Sequence, residues 1–149
     1  TGLISISSNM DVSKDFVKNE FSGIEFDDIL EYLIEEVKAR NYLITRINNI
    51  DNIHNRKVGD TGRNVKFKFY KIVEFCNLDS CSQLISSNLL AGLFMPVRYI
   101  VYQPSNEKKV FVSFLKPTSF AKIFNSERLN EIAKILEKDM YEILEEVIF

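Results

Sequence analysis

The sequence predicts an α+β fold, with a mixed or mostly antiparallel sheet of about five strands, helices packed on one face and a long C-terminal helix. Three observations lead to this prediction. Several short segments alternate apolar and polar residues, a turn-rich cluster joins two of them as a hairpin, and segments with helical periodicity lie between others. The 149 residues, 46% hydrophobic and 27% charged, are typical of a single domain, 1–149, with its own core.

The first part of the chain is predicted to run strand, helix, strand. Residues 3–8 alternate like a half-buried strand, whereas 9–23 are polar and irregular. Ser22 and Glu25 have the spacing of a capping box in front of a helix. The apolar face of that helix consists of Phe26, Ile29, Leu30, Leu33 and Val37. Residues 42–47 are rich in β-formers and predict the second strand.

The middle of the chain predicts a long strand, a short helix and a hairpin. Residues 65–75 keep one apolar parity, with Lys71 as the exception. Asp79 is placed to cap the short helix, which is expected to run to about residue 88. Two β-rich segments, 97–103 and 109–115, flank a Pro-Ser-Asn turn cluster and predict the hairpin.

The C-terminal part gives the strongest helical signal in the chain. Ser126 is predicted to cap this helix, because a Ser side chain at that position can accept a hydrogen bond from the first turn. Its apolar residues recur at helical spacing and predict a continuous face toward the sheet. They are Leu129, Ile132, Ala133, Leu136, Met140, Ile143, Leu144 and Val147.

Charge and hydropathy exclude two classes of partner. The formal net charge is −2, so we expect no general attraction to nucleic acid. No apolar run approaches the roughly 20 residues that span a bilayer, so no membrane span is expected. The first residues lack the basic segment of a signal peptide, although a processed secreted protein stays possible. The compartment, cytoplasmic or periplasmic, is left open.

A long polar segment, 48–64, interrupts the predicted strands. Loops of this length in compact domains are often functional. It contains the single histidine, His54, followed by Asn55, Arg56 and Asp60, a set of side chains able to build a polar pocket. The alternative interpretation is a solvated loop in which Asn55 and Asp60 make turn hydrogen bonds. We predict that these four residues contact a ligand.

Residues 68–77 read KFYKIVEFCN and residues 92–102 read GLFMPVRYIVY. A strand ending in Phe-Cys-Asn, a short helix and a return through Leu-Phe-Met-Pro resemble the bacterial and archaeal family called domain of unknown function 302. The His-Asn-Arg stretch followed by Asp-Thr-Gly is similar to that of some longer bacterial members. The resemblance implies a fold but supplies no reaction. Many members have a second cysteine after the proline, where this chain has Val97.

Cys76 is a candidate for chemistry because it lies just before a predicted helix. Backbone N–H groups at a helix N-terminus lower the pKa of a thiol and favour the thiolate. The alternative interpretation is a buried cysteine that packs as a small apolar residue. Cys81 follows five residues later, and the two thiols are expected to be independent unless the turn brings them together.

The leading hypothesis is therefore a small binding or sensing module, a homodimer, with a ligand pocket near the 54–62 loop, Cys76 and Phe94. A thiol-dependent redox protein or enzyme that uses Cys76 is the first alternative. A haem or metal carrier is the second, although one His and two Cys fall short of a classical zinc site. Whether the protein is an enzyme, and which cofactor it uses, the sequence leaves open.

Overall fold

The computed structural model describes residues 5–55 and 65–147, and its fold is α+β as predicted. Six strands form one sheet in the order β1-β2-β6-β5-β4-β3, with every neighbouring pair antiparallel. The strands are β1 (Ser7–Val12), β2 (Phe16–Ser22), β3 (Leu43–Asn49), β4 (Phe67–Cys76), β5 (Val97–Pro104) and β6 (Val110–Leu115). The helices are α1 (Phe26–Ala39), α2 (Leu78–Ser87), α3 (Pro117–Ala121) and α4 (Glu127–Glu146), with 3₁₀ segments at Ile50–Asn55, Leu89–Leu93 and Lys122–Phe124.

The helices pack on one face of the sheet. The buried side chains between the helices and that face form the hydrophobic core. The predicted stripe of α4 is buried except for the half-buried Ile132. Tyr99 of β5 is fully buried beneath this helix, and its hydroxyl donates a 2.7 Å hydrogen bond to the carbonyl of Met140. On α1, Phe26 stacks on Phe69 of β4 at a centroid distance of 4.7 Å. These contacts fix which side of each strand faces the helices.

The N-terminal hairpin corrects the sequence prediction. Residues 9–23, expected to be irregular, contain most of β1 and all of β2. Asn19 obscures the alternation because it occupies an inward position between Val17 and Phe21 and is itself buried. Its side chain accepts a 3.1 Å hydrogen bond from the hydroxyl of Ser8, so the buried amide is satisfied. Of the predicted first strand, residues 7 and 8 belong to β1, residues 5 and 6 do not, and residues 3 and 4 lie outside the described residues.

Two of the predicted helix caps are wrong and one is confirmed. The chain enters α1 through Glu25, whose side chain makes no capping hydrogen bond, because Ser22 still belongs to β2. Asn77, two residues before the expected Asp79, caps α2 by accepting a hydrogen bond from the backbone N–H of Ser80 at 3.2 Å. Ser126 caps α4 as predicted, accepting from the N–H of Leu129 at 3.3 Å.

The one charged residue that breaks the parity of β4 has a structural partner. Lys71 ion-pairs with the half-buried Asp51 at 3.2 Å and donates a 2.8 Å hydrogen bond to Asn49. Asp51 also accepts from the backbone N–H of Tyr70. The 3₁₀ segment that follows β3 is thereby attached to the first half of β4.

Among the described residues, no helix is long and apolar enough to cross a bilayer.

Candidate functional site

The face of the sheet opposite the helices carries a groove. We call this surface the open face. The groove has a volume of about 500 Å³, within the usual range of small-molecule sites. It lies over the central strands β2, β6 and β5. Its lining on the open face consists of Phe16, Lys18, Arg98, Ile100, Tyr102, Ser113 and Leu115.

Strand register places these side chains in rows across the sheet. Ile100 pairs with Ser113, and Ser113 pairs with Lys18, so one row runs across three strands. Phe16 pairs with Leu115 in the adjacent row. Both of these large apolar side chains are exposed, Phe16 by 51% and Leu115 by 60%. The groove therefore has an apolar wall and a polar hydroxyl in its floor.

Stacked aromatic rings close one end of the open face. Tyr70, Tyr102 and Phe111 lie opposite one another on three neighbouring strands, with centroid distances of 5.5 and 5.2 Å and nearly parallel planes. Burial is the main cause that raises the pKa values of both tyrosines. Since both faces of the central Tyr102 ring are stacked, that ring is not free to stack on a base or a sugar.

Two cations border the groove. The ammonium of Lys18 lies 4.6 Å from the centroid of the Phe111 ring, a cation–π contact. No carboxylate lies within ion-pair distance of it in the part of the chain that the structure describes. Arg98 reaches from β5, where its guanidinium lies 3.4 Å from the carboxylate of Glu74 and is more than half exposed. Lys18, Arg98 and Ser113 therefore line the same groove.

A second cleft adjoins the groove at its Arg98 end. It measures about 400 Å³ and shares Arg98 and Leu115 with the groove. Phe94, a residue predicted to bind ligand, lines it together with the residues of the cis Met95–Pro96 peptide. Phe94 is itself buried, with its ring centroid 4.5 Å from that of Phe120. The groove and the cleft are therefore adjacent on the surface.

Cys76 is less suited to nucleophilic chemistry than its position suggested. It is the last residue of β4 and is buried. Burial, followed by the neighbouring Cys81 thiol, raises the pKa of Cys76, which opposes the lowering expected at a helix N-terminus. A neutral, buried thiol matches the packing interpretation.

The remaining predicted site residues lie in and beside the segment between β3 and β4. Arg56 and Asp60 lie outside the described residues, and so do the side chains of His54 and Asn55. At the described start of this segment, Asp51 accepts a hydrogen bond from the backbone N–H of Tyr70, which attaches the segment to β4. Cys76 lies six positions after Tyr70 along β4, which is about 20 Å at ~3.3 Å per residue. A joint His54–Cys76 site stays a prediction.

A polar cluster joins the end of α1 to α4 on the helical side. Arg40 hydrogen-bonds to Glu142 and lies 3.6 Å from Asp139. The hydroxyl of Tyr42 donates to Asp139 at 2.6 Å, and burial together with this hydrogen bond raises the pKa of Tyr42 above its usual range. All four groups are mutually satisfied, so the cluster is a structural connection between helices.

Among the described residues, no group of three or more His, Cys, Asp or Glu side chains is arranged to hold a metal ion.

Lys18, Arg98 and Tyr102 were not among the residues singled out in the sequence. The signal that could have found them is the alternation within 16–22 and 97–104, since residues out of phase with the buried set must face the other side of the sheet. In β5 the buried residues are Val97, Tyr99 and Val101, which assigns Arg98 to the open face.

Comparison with known proteins agrees with this fold. A family model described as "Domain of unknown function DUF302" matches residues 18–147. The chain belongs to the DUF302 family. A similar solved structure is the "Crystal structure of uncharacterized conserved protein DUF302 from Bacillus stearothermophilus", with a TM-score of 0.75 and 23% identity. The similarity covers 91% of this chain and 99% of that one. A comparison with curated proteins finds no match. DUF302 membership confirms the resemblance and the fold, and it leaves the function open.

Proposed function

We propose that this DUF302 protein is a small ligand-binding module whose ligand is an amphipathic anion held in the groove of the open face. One observation carries the proposal: an apolar groove of about 500 Å³ is bordered by two cations, Lys18 and Arg98. Ligand sites of this kind combine apolar walls with a few polar groups that fix orientation. A carboxylate over Ser113 would meet both cations, while its apolar tail would lie along Phe16 and Leu115.

The two charged residues that line the groove favour an anion over a neutral or cationic ligand. Arg98 already forms an ion pair with the carboxylate of Glu74. Its exposed guanidinium retains further N–H groups that can donate hydrogen bonds to a ligand. Lys18 lies over the ring of Phe111 and makes no ion pair with a described carboxylate, although Asp11 is its cross-strand neighbour on β1. A hydrogen bond to a charged group contributes about 1.5–3 kcal/mol, or roughly a tenfold to hundredfold change in affinity.

Calorimetric titration with octanoate, 1-octanol and octylamine tests this at neutral pH. We expect octanoate to bind most tightly and octylamine least. Lys18→Gln and Arg98→Gln should each weaken octanoate binding by about tenfold or more and leave octanol binding unchanged. The matched control is Lys134→Gln on the exposed side of α4, which should bind like the wild type. Equal affinity for octanoate and octanol would contradict anion recognition.

The loop residues predicted from the sequence form a second part of this proposal. His54, Asn55, Arg56 and Asp60 stay proposed ligand contacts, because they gather donors and acceptors in one short segment. Cys76, although buried, stays a proposed ligand contact on the Phe94 side, because β4 pairs with β5 so that Phe75 lies opposite Val97, which lines the adjoining cleft. Phe94 stays a proposed wall of the adjoining cleft.

A second candidate occupant of the open face is another copy of the chain. The β5–β6 hairpin has apolar residues on both faces, and its outer edges already pair with β4 and β2. In the part of the chain that the structure describes, the open face of this hairpin is therefore the surface left for a second copy. Exposed apolar side chains at Phe16 and Leu115 favour such a contact.

Sedimentation equilibrium at micromolar concentration tests the homodimer. If the open face mediates it, the wild type should sediment at twice the chain mass and Leu115→Glu should sediment as a monomer. Leu89→Glu, a substitution of an exposed leucine on the 3₁₀ segment Leu89–Leu93, is the control and should leave the dimer intact. A wild-type chain that stays monomeric would exclude the dimer.

A further inference from the structure

Cys76 and Cys81 occupy two special positions around the start of α2. Asn77 is the N-cap of this helix, so Cys76 is the residue before the cap and Cys81 is the fourth residue of the helix. These are the two positions whose side chains pack together in a hydrophobic staple. The first turn is well formed, because the N–H of Cys81 donates to the carbonyl of Asn77 at 2.8 Å. The staple of this helix therefore consists of two cysteines.

The two thiols are free and differ in access. Cys76 is buried at the end of β4, whereas Cys81 is half-buried on the surface turn of α2. The staple positions bring the two side chains to the same side of the helix start, and the Cys81 thiol contributes to the raised pKa of Cys76. Asn77 holds this geometry through its cap to Ser80. A disulfide reagent in solvent reaches Cys81 first. Cys76 is then the nearest thiol to the mixed disulfide that forms on Cys81.

We propose that Cys76 and Cys81 form a redox-responsive dithiol, which a low-molecular-weight disulfide oxidises to an intramolecular disulfide. The thiolate of Cys81 attacks one sulfur of the oxidant, whose S–S bond breaks and releases one thiol. Cys76 then loses its proton and attacks the sulfur of Cys81. The mixed disulfide breaks, the second small thiol leaves, and the Cys76–Cys81 bond forms. The protein loses two hydrogens, and the oxidant is reduced to two thiols.

The disulfide would replace a packing contact by a covalent one. It would join the end of β4 to the first turn of α2, at the start of the segment that leads through Leu89–Leu93 to the cleft beside Phe94. A cross-link stabilises mainly by constraining the unfolded chain, so the oxidised protein should resist denaturation more than the reduced protein. This inference does not depend on the proposed ligand.

Incubation of the reduced protein with glutathione disulfide, followed by acid quenching and intact-mass measurement, tests the dithiol. The wild type should become lighter by two hydrogens without accumulating a glutathione adduct, and its thermal unfolding midpoint should rise. Cys76→Ala should stop at a stable glutathione adduct on Cys81. Cys81→Ala should stay largely unmodified, because the remaining thiol is buried.

The wild-type mass alone decides the outcome if either variant fails to fold. A persistent glutathione adduct on the folded wild type would overturn the proposal. So would a folded wild type that stays reduced while the chain unfolded in urea oxidises under the same conditions. Peptide mapping of the oxidised wild type should place the new bond between residues 76 and 81, and a bond between two chains would also contradict the inference.

Discussion

Leu136→Ala should lower the free energy of unfolding by about 2–5 kcal/mol, because it removes a buried side chain and leaves a cavity beneath α4. Leu136 is 4% exposed and belongs to the stripe that packs against the sheet. Urea denaturation followed by circular dichroism measures the change. The expected result is a lower midpoint with an unchanged slope.

Ile135→Ala is the matched control for this measurement. Ile135 is the preceding residue of α4, and it is 64% exposed. Its truncation should change stability by no more than about 0.5 kcal/mol, as is usual for surface substitutions. A change below about 1 kcal/mol for Leu136→Ala would contradict the packing of this stripe against the sheet.

Phe94→Ala should lower the free energy of unfolding by about 3–5 kcal/mol, the cost of removing a large aromatic side chain from a packed site. The ring of Phe94 lies 4.5 Å from that of Phe120 and 6.4 Å from that of Phe124, between centroids. These rings connect the 3₁₀ segment Leu89–Leu93 to the segment around α3. Thermal unfolding of the two proteins measures the difference.

Leu93→Ala provides the control because the neighbouring Leu93 is 80% exposed. We expect it to leave the unfolding midpoint nearly unchanged. If Phe94→Ala were as mild as this control, Phe94 would not be a core residue. Its main role would then be contact with a ligand in the adjoining cleft.

Elements with regular periodicity were predictable from the sequence. The stripe of α4 and its Ser126 cap depend on residues close together in the chain, and both are present. The strand β2 was missed because Asn19 occupies a buried position, which is tolerated only through its hydrogen bond to Ser8 on another strand. That compensation is a tertiary contact that local pattern does not reveal.

The candidate groove was harder to predict for a similar reason. Lys18 and Arg98 are 80 residues apart, and the sheet order β2-β6-β5 brings them to one surface. The sequence suggests which residues of each strand share a face, but not which strands are neighbours. Cys76 shows the same limit, since its position predicts a lowered pKa whereas burial raises it.

Two-dimensional amide NMR of the isotopically labelled protein during titration with octanoate tests the central claim most directly. If the open face holds an amphipathic anion, the amide signals of Lys18, Arg98 and Ser113 should shift in a saturable way. Octylamine should not reproduce these shifts. Signals of α4 on the other side of the sheet should stay in place. Saturable shifts confined to α4 and the other helices, or equal shifts with octylamine, would contradict the claim.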